Sequence, residues 1–116
     1  MAQQQKREVV ELTTFQEYKN FIATHPVVIL KASATWCGPC QTIKPHFINK
    51  VNELPLGVSV ILIDISKAPS ISRKLSIRSV PCMISIIRGQ PCDVVMGANI
   101  DGINSFFEKI KKLLGQ

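Results

Sequence analysis

Two stretches, "VVILKASA" at 27–34 and "VSVILIDI" at 58–65, are almost unbroken runs of apolar and β-branched residues. A strand with one wet face alternates apolar with polar residues, so runs of this kind predict strands covered on both faces. Between them Ile43, Phe47, Val51 and Leu54 recur every three or four positions. That spacing predicts a helix from about Cys37 to Leu54, and Pro45 should kink it. Strand, helix and strand in this order predict a parallel βαβ unit.

The flanks extend the pattern. "REVVEL" reads as a short strand, and "TTFQEYKNFIATH" as a helix capped by Thr13 or Thr14 and closed at "HP". "APSISRKLS" predicts a short helix. "CMISII", the turn "RGQP" and "CDVVMG" predict a hairpin, and "NIDGINSFFEKIKKLL" a closing amphipathic helix with Asn99 or Asp101 near its start. The order is β-α-β-α-β-α-β-β-α. It defines an α/β class with a mixed central sheet, helices on both faces and an antiparallel edge from the late hairpin. At 116 residues the whole chain, 1–116, is expected to be one domain.

Composition removes several functions. The longest apolar runs are far shorter than a membrane span, so no membrane association is expected. The start, "MAQQQKREVVEL", lacks the apolar core of a secretory signal, and the expectation is a cytoplasmic protein. The formal charge of +6 raises the question of nucleic acid. However, the fourteen Lys and Arg are scattered, and no aromatic pattern interleaves with Arg. A basic surface favouring acidic partners is the plainer reading. Four cysteines do not make a disulfide scaffold in a chain this size; in a reducing compartment such a set is catalytic or metal-binding.

The chemistry concentrates at "WCGPC", residues 36–40. Disulfide exchange needs one thiolate to attack and a second thiol close by to resolve the mixed disulfide. Cys37 and Cys40, three apart in a first helical turn, share a face. At the helix N-terminus the free amides and the helix dipole stabilise a thiolate, which makes Cys37 the attacking thiol. Cys40, further into the helix, resolves. Pro39 falls where a missing N–H costs little, and Gly38 leaves room for a substrate chain. Zinc sites use the same spacing, but no second CxxC or HxxxH follows. With only Cys82, Cys92, His25 and His46 left as ligand types, no metal is expected. His25 and His46 are expected at the surface or a helix end, without chemistry.

"WCGPC", Pro45 five residues after Cys40, "SIRSVP" at 76–81 and "GQPCDVVMGA" at 89–98 together resemble the thioredoxin family. The match runs through nearly the whole chain, and the residues between the cysteines distinguish thioredoxins from glutaredoxin- and isomerase-type relatives. The resemblance implies a thioredoxin fold and a small dithiol protein that reduces protein disulfides and is recharged by a thioredoxin reductase. It needs no bound cofactor, because the electrons reside in the cysteines, and it is a monomer or weak dimer. The resemblance also implies that Pro81 is a cis-proline beside the disulfide and that the Val80 backbone pairs with the substrate chain. By the same carry-over, Trp36, Gly97 and Ala98 form a flat docking surface.

Two positions depart from the family. Lys31 stands where thioredoxins usually carry a buried aspartate credited with taking the proton of the resolving cysteine, and Ser33 replaces an aromatic residue. Three readings of Lys31 stay open. Its stem can pack in the core while the ammonium reaches solvent or a carboxylate. Its charge can stabilise thiolate and make the disulfide more oxidising. Or burial can lower its pKa until the neutral amine serves as base for Cys40. Cys82, after Pro81 where threonine is common, should lie near the pair, either as a packed thiol or as an extra reactive or metal-binding one. Hairpin counting places Cys92 opposite residue 86 or 87, so a Cys82–Cys92 bridge is not expected. The alternatives to a reductase are a more oxidising oxidase or isomerase, or a docking subunit that does not use its thiols.

Overall fold

The computed structural model describes residues 6–116; residues 1–5, on which the reading of the start partly rests, lie outside them. The elements follow the expected order: β1 (Val9–Glu11), α1 (Phe15–Thr24), β2 (Val27–Ser33), α2 (Gly38–Asn52), β3 (Ser59–Asp64), α3 (Pro69–Lys74), β4 (Cys82–Ile87), β5 (Gln90–Met96) and α4 (Ile100–Leu113). The sheet order is β1-β3-β2-β4-β5. β1, β3 and β2 run parallel, while β4 is antiparallel to β2 and β5 to β4.

β2 and β3 are buried on both faces, as their unbroken apolar runs require. One core takes Ile29, Val60 and Met83 from the sheet against Ile43, Phe47 and Val51 of α2 and Ile103, Phe106, Phe107 and Ile110 of α4. The other takes Val28, Leu30, Ala32, Ile61, Ile63, Ile84 and Ile86 against Tyr18 of α1 and Ile71 of α3. Lys31 alternates with Leu30 and Ala32, so it points to the α2 side.

Three details differ from the sequence expectation. α2 begins at Gly38, because Cys37 is its N-cap in extended conformation, and it ends at Asn52, with Pro45 inside it. The hairpin turn is only Arg88–Gly89, with φ of 51° and 80°. Two positive φ values suit the two-residue turn that matches strand twist. Finally, the strand after α3 does not run parallel to β3. With six residues α3 is about 9 Å long, whereas β3 spans about 20 Å. A helix that short does not carry the chain back along the sheet. The chain therefore re-enters at the end it left, and Cys82 pairs with Ala32 near the end of β2. This antiparallel entry brings Pro81 beside the cysteine pair.

Candidate active site

β2 delivers the chain to the crevice at its C-terminal end, and α2 starts there. Cys37 caps α2: its Sγ accepts the Cys40 N–H at 3.1 Å, and its own N–H donates to the Ala34 carbonyl at 3.1 Å. Cys37 and Cys40 are joined as a disulfide, with Cα atoms 5.3 Å apart. Both are buried, Cys37 at 5% exposure and Cys40 at 1%, so the residue expected to be more open is so by a small margin. They pack with Ala34, Ile65 and Val80.

The other expected residues surround the pair. The Val80–Pro81 peptide is cis, and the Val80 carbonyl lies 3.8 Å from Cys37 Sγ. Gly97, at φ +84°, donates its N–H to the Pro81 carbonyl at 2.8 Å, which ties the end of β5 to the cis-proline. Trp36 is 70% exposed, and Gly38, Pro39, Ala98 and Met96 are exposed as well. A Cβ on Gly38 would meet nothing within 4 Å. Any need for glycine there therefore comes from a docked chain and not from the fold.

Lys31 is 6% exposed, with its ammonium 5.5 Å from the centre of the Phe47 ring. Among the described residues no carboxylate lies within ion-pair distance of it. Burial first, and the charge of Lys44 second, push its pKa below the ordinary lysine value. The stem therefore packs as the first reading has it, and of the two destinations offered for the head it is solvent, not a carboxylate, that it reaches. It lines a cavity of about 530 Å³ whose wall includes Cys40.

Cys82 follows Pro81 in sequence, but its side chain belongs to the α1/α3 core and not to the cluster around the pair. It is 1% exposed, and burial pushes its thiol pKa up, as for a packed, unreactive thiol. Cys92 is free and exposed beside the bulge in β5 where Ile84 pairs with Val94 and Ile86 with Pro91. The two are not bridged. His25 closes α1 and bonds Glu8 at 2.8 Å, and His46 bonds Asn104 at 2.8 Å, joining α2 to α4. His25 stands at a helix end as expected, whereas His46 lies half-buried in the middle of α2.

Two residues of this region escaped the sequence reading. Lys44 also lines the cavity, and its spacing of four from Cys40 was visible as one helix face. Arg7 donates to the carbonyls of Val51, Leu54, Pro55 and Val58 at 2.7–2.9 Å, tying the last turn of α2 to the turn that follows it. Nothing local to "KREVV" announces that role.

A bridged CxxC pair at the start of a helix, set against a cis-proline on this α/β fold, defines a thiol–disulfide oxidoreductase. A family model for thioredoxin matches residues 8–109. The mitochondrial thioredoxin-2 of Schizosaccharomyces pombe is 29% identical over 106 residues, covering 91% of this chain and 79% of that protein. A bifunctional thioredoxin reductase/thioredoxin of Mycobacterium leprae is 28% identical over 89 residues, which is 77% of this chain and 19% of that one. Oxidised mitochondrial thioredoxin 3 of Saccharomyces cerevisiae superposes with a TM-score of 0.80 at 25% identity, covering 87% and 94% of the two chains. The chain belongs to the thioredoxin family.

No helix among the described residues is long and apolar enough to cross a membrane.

Proposed function

We propose that this chain is a protein-disulfide reductase. In the reduced protein the Cys37 thiolate attacks one sulfur of a substrate disulfide and releases the other as a thiolate. Cys40 gives up its proton, which passes through water to that thiolate, then attacks Cys37 Sγ, frees the second substrate thiolate and leaves the Cys37–Cys40 disulfide. Two electrons have passed to the substrate. A reductase of the thioredoxin reductase kind returns them, a pairing supported by the bifunctional relative's name. On this reading the two sulfurs are the whole redox centre and no bound cofactor takes part.

The observation that carries the reading is Cys37 at the N-cap of α2, with the Cys40 N–H on its sulfur. A thiolate formed there on reduction faces the open amides of the first turn, which stabilise an anion. An extended substrate segment would lie along Val80, with Trp36, Gly97 and Ala98 as the surrounding surface. The cytoplasm is the proposed site of action, where an exposed free thiol such as Cys92 persists.

Reduction of insulin disulfides with dithiothreitol as electron donor tests the roles. Cys37→Ser is expected to fall to the uncatalysed rate. Cys40→Ser is expected to accumulate a mixed disulfide through Cys37, seen as added substrate mass. Catalysis surviving in Cys37→Ser would remove it as the nucleophile.

A further inference from the structure

The exchange steps proposed above place no substrate atom in the cavity behind the cysteine pair. It lies between α2 and the β1-β3-β2 part of the sheet, is about 530 Å³, and has Val9, Leu62, Phe47 and Val51 among its walls. That size and lining suit a small ligand with an apolar body. Its polar content is unbalanced. Arg7, Lys31, Lys44 and Lys67 line it against two carboxylates, Glu11 and Asp64. Arg7 is occupied by four backbone carbonyls, and Asp64 accepts the Ser66 N–H at 2.9 Å. Lys31, Lys44 and Lys67 have no ion-pair partner among the described residues.

Lys31 is the informative one. Its stem is covered, which leaves the residue 6% exposed, while the ammonium stays accessible where it lines the cavity and has no partner in the protein. Lys44, itself exposed, adds a second positive charge on the same cavity. One negative group held there would interact with both.

We propose that this cavity binds a small organic acid, its carboxylate held by Lys31 and Lys44 and its apolar body packed on Phe47, Leu62 and Val51. The charge selects an anion over a neutral or cationic molecule of the same shape, and the walls select a ligand with a hydrocarbon body over a bare inorganic anion.

The test uses sodium octanoate, octylamine and octanol as probes of equal body and different head, titrated into the wild-type protein by calorimetry and by NMR. Octanoate is expected to bind at least tenfold more tightly than octylamine, with shifts centred on Lys31, Phe47, Leu62 and Val51. Lys31→Met keeps the unbranched stem and removes the charge. It is expected to weaken octanoate at least tenfold and to leave octanol unchanged. No octanoate binding, equal affinity for octanoate and octylamine, undiminished octanoate binding by Lys31→Met, or shifts centred on Trp36 would each overturn the proposal. If Lys31→Met lost its fold, the wild-type comparison would decide alone. Thiol exchange enters none of these readouts, so the outcome is independent of the reductase reading.

Discussion

Replacing Lys31 by aspartate exchanges a cation for an anion in the wall that Cys40 shares. A positive charge there favours thiolate over disulfide, so Lys31→Asp is expected to lower the reduction potential. The expected drop is of order 30 mV, equivalent to about 1.4 kcal/mol for a two-electron couple. An unchanged potential would mean that the ammonium, screened by cavity water, does not act on the pair. A second titration belongs to His25. Desolvation opposes its protonation, but the Glu8 carboxylate and the Phe21 carbonyl outweigh it and raise its pKa. The folded state therefore holds this proton more tightly than the unfolded chain. The resulting stability is complete below about pH 6.5 and is lost as pH rises through the folded value. Glu8→Gln is expected to cost of order 0.5 kcal/mol near pH 5.5 and less near pH 8.5, read by urea unfolding. A gap that grew with pH would contradict this. At this scale the sequence was legible by position: "WCGPC" and the spacing back to Lys31 pointed to residues that the fold brings to one place. What faces Lys31 was not legible, because the cavity walls come from β1, β3 and α2, which are far apart in the chain.

Among the elements, α2 carries the site and is secured at both ends. Cys37 caps its start, and Arg7 covers the carbonyls at its finish. Charge-assisted hydrogen bonds are individually worth about 1.5–3 kcal/mol, less where water competes. Arg7→Ala is therefore expected to cost about 2 kcal/mol and to lower Tm by about 8 °C, measured by thermal unfolding. A change within error would mean that backbone N–H groups and solvent satisfy these carbonyls without Arg7. Periodicity located the long helices and unbroken apolar runs located β2 and β3, because these elements bury faces of their own, whereas β1 and β5 hold no fully buried residue and were placed by composition and by the hairpin turn. The direction of β4 was beyond that signal. It follows from α3 being too short to traverse the sheet, which depends on the length of a helix and not on its pattern. The boundary at Cys37 was missed for a local reason: an N-cap and a first helical residue carry the same letters in sequence and differ only in backbone angle.

On the scale of the whole molecule, two cores sandwich the sheet and hold the C-terminal end of β2 fixed beneath the site. Phe107 is fully buried, with edge-on contacts to Phe47 and Phe106. Phe107→Ala is expected to lose about 3–5 kcal/mol in urea unfolding, much of the stability of a domain this size. A loss under 1 kcal/mol would mean that α4 repacks freely. The layered α/β arrangement was readable from the unbroken apolar runs of β2 and β3, since such runs are stable only under cover on both sides. The central claim is that Cys37 and Cys40 form one two-electron couple poised to reduce. It is tested most directly by equilibrating the protein in dithiothreitol and glutathione buffers, trapping thiols and reading the peptides by mass. The account predicts one cooperative transition of the 37–40 peptide, with Cys82 and Cys92 remaining thiols and a midpoint below about −200 mV, near the known thioredoxin value of about −270 mV. A midpoint at or above about −180 mV, the range of the isomerases, or separate titration of the two cysteines, would contradict it.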